Sequence, residues 1–366
     1  MRIATWNVNS IRARVERVVD YLVREEIDVL CMQEIKCRDN QFPYEQFTAA
    51  GYDVVLHGLN QWNGVAIASR LPLEDVKITF PSQPGFGEPD ADGNAPIEAR
   101  AIAATVDGVR LWSLYVPNGR ELDHPHYAYK LEWLQGLARD TAGWLAESPD
   151  MPLALLGDWN VVPYDDDVWD IREFAGSTHV SAPEREAFFA FEAVGLKDVV
   201  RPLIPEGYTY WDYKQLRFPR NEGMRIDFIM GSPAFAELVD SAVIARDERK
   251  GDGPSDHVPV VVDLLRDGLT SLALLARLPK RVDSLITRAE LGQLTLRNPE
   301  LEKRTSTLSR AVRRVVSAVL FGVLFIGGLI VVERDTTLGT VLIITSAIPL
   351  LHALFADVVA RRGPLP

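Results

Sequence analysis

Short apolar, β-prone runs that each meet a polar, chemistry-bearing motif recur along residues 1–266 of this chain. Residues 3–7 lead into Trp6-Asn7-Val8-Asn9, and residues 27–33 into Gln33-Glu34-Ile35-Lys36. Residues 109–115 lead into Tyr115-Val116-Pro117-Asn118-Gly119, and residues 153–157 into Gly157-Asp158-Trp159-Asn160. Arg225-Ile226-Asp227 opens the run at 226–230, and Pro254-Ser255-Asp256-His257-Val258-Pro259 opens the run at 258–264. An open sheet gathers the ends of its strands along one rim, so motifs far apart in sequence can share one pocket. Carboxylates and amide oxygens suit a hard divalent cation. A histidine beside them suits proton transfer or stabilisation of an anionic transition state. These residue types together point to metal-assisted attack of water on a phosphodiester.

Helical patterns alternate with the runs. Val15, Val18, Val19 and Leu22 share one face of a helix predicted at 15–25, a second helix is predicted at 127–146, and a third starts near Ala182. Strands at 52–56 and 65–69 are joined by a polar, glycine-containing turn, and 100–106 pairs with 109–115 around Asp107-Gly108. Strands alternating with helices and hairpins predict a mixed-sheet α/β layered domain. The stretch 80–96, rich in Gly, Pro and Asp, reads as a mobile loop. Cys31 and Cys37 are the two cysteines; Cys31 sits in an apolar run as a buried thiol, and a reducing compartment fits. The first residues lack a basic region followed by a long apolar stretch and do not read as a signal peptide.

The ordered set of six motifs resembles the exonuclease III family of AP endonucleases, within the endonuclease/exonuclease/phosphatase superfamily. The resemblance runs from Met1 to about Arg266, and Gln33–Lys36, Tyr115–Gly119 and Arg225–Phe228 point to its DNA-repair branch. It implies a four-layer sandwich: two mixed β-sheets facing each other, with helices outside. It implies cleavage 5′ to abasic sites and removal of nucleotides 3′ to 5′ from duplex ends, with Mg²⁺ or alternatively Mn²⁺ as cofactor. The expected partner is double-stranded DNA with abasic sites or 3′ ends, met by a monomeric nuclease domain.

Carried over position by position, the resemblance makes Glu34 the principal metal ligand. Asn7, Asp158, Asn160, Asp256 and His257 stand in or beside the metal site. Asp158 orients or deprotonates the attacking water, and Asn160 holds that water or a phosphate oxygen. Tyr115 donates to a phosphate oxygen. His257 faces the scissile phosphate as an imidazolium, and Asp227 accepts from its other ring nitrogen and keeps it charged. Arg100, Asn118, Arg120 and Trp211 are the expected DNA contacts, Trp211 as a wedge beside a flipped abasic sugar, with Lys130 a weaker candidate. Asn9 stands where some relatives carry an acid. Met224 and Phe228 are candidates to line the sugar pocket.

Charge is divided unevenly. Residues 269–366 hold 13 Lys/Arg against 7 Asp/Glu, which leaves 26 against 44 in the rest. Phosphate neutralisation drives non-specific DNA affinity, so a body this acidic is expected to bind DNA weakly, non-processively and with salt sensitivity. The organisation expected is a nuclease domain over 1–266, a charged helical linker over 267–314, a two-helix transmembrane hairpin over 315–356 and a basic tail over 357–366. The hairpin rests on two runs without Asp, Glu, Lys or Arg, 18 residues at 315–332 and 21 at 336–356, split by Glu333-Arg334-Asp335. Arg310, Arg313, Arg314, Arg361 and Arg362 flank them, which places both ends and the nuclease on the cytoplasmic face of the cell membrane. The stretch 278–354 resembles, more loosely, the membrane-hairpin tail of the UbiB/ABC1 kinase-like family, without that family's kinase motifs. Bilayer contact leaves open an alternative: a membrane-tethered phosphodiesterase of the same superfamily acting on phospholipid or inositol phosphates.

Overall fold

Consecutive residues of the apolar runs face opposite ways, and each side finds a covering layer. In the computed structural model, which describes residues 1–265 and scattered helical positions between 321 and 347, Ile3 and Cys31 point inward while Ala4, Trp6, Leu30 and Met32 point outward. Strands buried on both faces need near-continuous hydrophobic runs, which is what the sequence supplies.

The first sheet is built from β1 (Arg2–Asn7), β2 (Val29–Gln33), β3 (Asp53–His57) and β4 (Val65–Ser69). The second takes β5 (Glu74–Lys77), β6 (Ala101–Val106), β7 (Val109–Tyr115), β8 (Leu153–Asp158), β9 (Lys197–Asp198) and β10 (Asp227–Gly231). The chain then returns to the first sheet with β11 (Val239–Ile244) and β12 (Val260–Leu264). The orders are β11-β12-β1-β2-β4-β3 and β5-β6-β7-β8-β10-β9. Both sheets are mixed: β1–β2 and β7–β8 are parallel, and their other neighbours are antiparallel. One core lies between the sheets, where Ile3, Val29 and Ile67 meet Ile102, Leu111 and Leu156.

Helices α1 (Ile11–Arg24) and α2 (Tyr44–Ala49) cover the outer face of the first sheet through Val18, Leu22 and Phe47. Helices α3 (Pro125–Glu147) and α4 (Ala182–Ala193) cover the outer face of the second through Trp133, Leu137, Phe188 and Phe191. Short α5 (Pro233–Leu238) links β10 to β11. Proline at the first helical turn starts α3, and a reciprocal Ser181–Glu184 capping box starts α4.

Three strands escaped the sequence pattern. β5 is exposed along its whole length, β9 has two residues, and β11 is a half-buried edge, so none shows a clean period of two. The stretch 80–96 is irregular, as its composition predicts, but it is tied down. Phe80 packs on Trp133, Ser82 hydrogen-bonds Asp140 at 2.7 and 2.8 Å, and Gln83 donates to the Glu98 carbonyl. Cys31 and Cys37 are free and buried, and burial pushes the Cys31 thiol up.

Gly157 sits in β8 with φ +154°, and a Cβ there would lie 1.9 Å from the Leu114 carbonyl of β7. Two backbones cannot give way as a side chain can. Gly157→Ala is expected to cost about 3 kcal/mol or more, the top of the usual overpacking range. An unchanged urea midpoint would contradict that.

Residue contacts divide the chain into Met1–Ser271 and Leu272–Pro366. The expected linker and transmembrane hairpin fall outside the described residues, apart from the scattered helical positions. Among the described residues no helix is long and apolar enough to cross a membrane.

Candidate active site

Parallel pairing puts the ends of β1 and β2 side by side, with Asn7 opposite Gln33 and Glu34 next. It does the same for β7 and β8, where Tyr115 stands opposite Asp158. Antiparallel β10 begins at Asp227, in register with Asp158. Antiparallel β12 begins beside β1, so the segment before it brings Asp256 and His257 to the same rim. Six motifs thereby converge.

The two sheets are stitched at this rim by Asn7. Its Nδ2 donates to Glu34 Oε1 at 2.8 Å and to Asp158 Oδ2 at 3.0 Å. Glu34 has φ +50° and pairs with Lys36 at 2.7 Å. Burial pushes the Glu34 carboxyl up, but Lys36 and the Asn7 amide outweigh it and hold it below the usual range. Lys36 also donates to Asn9 Oδ1 at 2.6 Å, and Asn9 donates to Asp256 Oδ1 at 3.0 Å. Asp256 therefore reaches Glu34 indirectly, through Asn9 and then Lys36 or Asn7.

His257 lies between two carboxylates, with Nδ1 2.9 Å from Asp227 Oδ2 and Nε2 3.7 Å from Asp158 Oδ2. Burial disfavours its charge, yet Asp227 and Asp158 prevail and push it up to about 10. Asp158 is pushed up to about 7 by burial, against the pull of His257, with Asp227 and Glu34 adding to the rise. The Thr209 hydroxyl accepts the Asp227 N–H at 3.1 Å. The second Asp227 oxygen is buried without a partner. The Tyr115 phenol faces Glu34, and Arg100 stacks 4.8 Å over its ring.

Asn160 donates its main-chain N–H to Asp158 Oδ1 at 2.9 Å and its side-chain amide to the Val116 carbonyl at 2.9 Å. Its Oδ1 accepts from Asn118 at 3.2 Å and lies 3.0 Å from His179 Nε2. Asn118 and Arg120 are exposed beside it.

Four expectations are corrected. Arg100 does not face DNA: it is 6% exposed, behind Tyr115, and its Nε pairs with Glu98 at 2.6 Å. Trp211 is no wedge. It is fully buried against Tyr208 and Phe218 and borders a separate cleft of about 1110 Å³, which includes none of the acidic cluster. Lys130 is fully buried against Glu184. Phe228 belongs to the core under α4. The residue beside the histidine is instead Tyr210, whose ring centre lies 4.9 Å from that of His257 and whose backbone bridges Met224. Along an extended stretch neighbours alternate sides, so Tyr210 on the site puts Trp211 behind it. His179 and Thr209 were also missed, and no local motif marks them.

Glu34, Asp158 and His257 each offer a ligand atom within 4.8 Å of one another. The donors fit a hard divalent cation: two carboxylates and neighbouring amide oxygens, on a rim that ordered Asn7 already draws together. His257 fits that set less well, because a ring held protonated by two carboxylates has no lone pair to give.

Fold and site together define a divalent-metal-dependent phosphoesterase. The Endonuclease/Exonuclease/phosphatase family model matches residues 4–257, and the chain belongs to that family. It is similar to exodeoxyribonuclease III of Haemophilus influenzae, 28% identical over 275 residues that span 71% of this chain and 98% of the relative. Among solved structures it is similar to the 3′ phosphatase NExo from Neisseria bound to a product DNA hairpin, with 35% identity, a TM-score of 0.67 and coverage of 73% of this chain and 100% of that one. It is also similar to an AP endonuclease from Archaeoglobus fulgidus, with 33% identity, a TM-score of 0.65 and coverage of 72% and 99%.

Proposed function

We propose that the protein is a DNA-repair nuclease that hydrolyses the phosphodiester 5′ to abasic sites and removes 3′-terminal groups from duplex ends, with Mg²⁺ or Mn²⁺ as cofactor. The observation that supports this reading is the continuous network Glu34–Asn7–Asp158–His257–Asp227, in which three carboxylates, an amide and an imidazole surround one space. When bound, the metal polarises a phosphate oxygen and stabilises the departing one.

Glu34 is the main ligand in this reading. Held below the usual carboxylate range by Lys36 and Asn7, it stays ionised. Asp158, pushed up to about 7, is matched to taking a proton from water at neutral pH. Asn160 aims that water. His257 and the Tyr115 phenol donate to the phosphate oxygens as charge builds. Asn118 and Arg120 hold flanking phosphates. Tyr210 and Met224 line the pocket for the extruded sugar, in the place first expected for Trp211; extrusion costs least at a damaged site. The segment 315–356 serves as a membrane anchor that keeps the nuclease on the cytoplasmic side.

Full-length protein in detergent is incubated with three duplexes: one with an internal abasic site, one with a recessed 3′ end and one with a 3′-terminal phosphate. Cleavage is expected with Mg²⁺ or Mn²⁺ and is abolished by EDTA. Saturating metal at about 100 times its dissociation constant stabilises the fold by about 2.7 kcal/mol, read as a rise in melting temperature. Hydrolysis of phospholipid or inositol phosphate with no DNA cleavage would replace this reading by the lipid one.

A further inference from the structure

Lys130 and Glu184 face each other as an ion pair in which both side chains are fully buried. Such a pair is weak as a source of stability, since apolar residues of equal volume often serve as well or better. What it holds is more informative. The Lys130 ammonium also donates to the main-chain carbonyls of Asn160 at 2.6 Å and Asn118 at 3.3 Å. Glu184 accepts the His179 N–H at 2.9 Å, the Ser181 N–H at 3.2 Å and the Ser181 hydroxyl at 2.6 Å. One charge pair, carried by α3 and α4, thus ties together the loops that bear Asn118, Asn160 and His179.

Asn160 depends on that tie. Its φ is +50°, a left-handed backbone that asparagine adopts more readily than most non-glycine residues. The carbonyl of that residue is the one Lys130 grips, and its N–H is the one that donates to Asp158. The side chain of Asn160 is fixed by the same loops, through the Val116 carbonyl, Asn118 and His179. A chain of direct bonds therefore runs from a buried ammonium to the carboxylate at the centre of the site.

We propose that Lys130 and Glu184 act as a positioning pair for the hydrolysis, holding Asn160, and through it Asp158 and Asn118, in the orientation that meets the substrate phosphate. The proposal rests on the nuclease reading above. Neither residue touches DNA, and the effect runs through geometry: a displacement of about 1 Å at a reacting centre costs about 100-fold in rate.

The test is a double-mutant cycle on the full-length protein, with cleavage of the abasic duplex read as kcat and KM. The variants are Lys130→Met/Glu184→Gln, which removes both charges and leaves one acceptor oxygen for either the His179 N–H or Ser181, Asn160→Ala, and the combination. Assays run at a temperature where melts show every form folded. Loss of the pair is expected to lower kcat about 100-fold, with KM within about threefold. In the Asn160→Ala background the same change is expected to cost less than about a further tenfold, because the side chain it orients is gone while the main-chain tie from Lys130 through residue 160 to Asp158 remains. A pair variant that keeps kcat within about threefold of wild type overturns the proposal, as does an equal loss in both backgrounds. If the neutral pair does not fold, Lys130→Arg takes its place with the same two expectations, since it keeps the charge and displaces the donor. A folded wild type that cleaves no DNA substrate brings down the nuclease reading itself, and the proposal with it; failure of the proposal alone requires an active wild type.

Discussion

Asp158→Ala lowers the rate of abasic-site cleavage by about 10²–10⁴-fold, the usual cost of losing an aligned general base. No neighbour can take over the proton. Glu34 is held below the usual carboxylate range by Lys36 and Asn7, which makes it a poor base. Asp227 is committed to His257 at 2.9 Å. Asp158 alone combines a value near 7 with a position between Asn7, Asn160 and His257. A variant that keeps more than about a tenth of wild-type rate places the base elsewhere. The same carboxyl is a burden on the metal-free fold, and the sign can be worked out. Its folded value lies above the ordinary 3.9 or so of an unfolded aspartate, so ionising it costs stability progressively as pH rises from about 4 to about 7. Asp158→Asn, which removes the charge and keeps an acceptor for Asn160 though not for Asn7, should therefore shift the melting temperature in EDTA more favourably at pH 8 than at pH 4. Equal shifts at both pH values would mean that the effect comes from packing rather than from charge.

What the sequence made legible followed from local pattern. Asn7, Glu34, Asp158 and His257 each adjoin an apolar run, so polarity at a strand end was enough to single them out, and sheet topology then brought them together. The misreadings arose where the answer depends on distant partners. Tyr210 and Trp211 are adjacent aromatics, and which one faces the site is set by the bridges of Tyr210 to Met224 and His257, not by anything in Tyr208-Thr209-Tyr210-Trp211. Arg100 was expected among the DNA contacts from the family resemblance; Glu98 and Tyr115 draw it under the surface. Lys130 sits on a helix whose apolar face is plain, but that it is buried with Glu184 appears only once α3 and α4 pack side by side. Edge strands β5 and β11 have no second covered face to impress a period on their residues.

Asp227→Asn should separate charge from geometry at His257. The substituted amide still offers an oxygen to Nδ1–H, so the ring keeps its place, but the carboxylate that most opposes burial is gone. The imidazole then falls from about 10 toward its ordinary value near 6.5. In the wild type the imidazolium persists through pH 7–9, and the rate declines only as pH climbs through about 10; the acid limb is set by Asp158 near 7 and moves lower when a cation occupies the site. In the variant the alkaline limb begins near neutrality. The two forms should therefore cleave within about tenfold of each other at pH 6 and differ by about 10²–10³-fold at pH 8.5, the range for removing a charged donor to a developing oxyanion. Stability should move the opposite way. A histidine whose value is raised on folding contributes its stabilisation in full below about 6.5 and loses it as pH rises through about 10. The melting-temperature gap between wild type and variant is accordingly widest near pH 6 and narrows toward pH 10, while the gap in rate widens. Rate and melting curves over pH 6–10 on one pair of proteins measure both. A variant whose rate stays parallel to wild type across that range would show that the ring acts by shape alone, and the imidazolium would have to be withdrawn from the transition state.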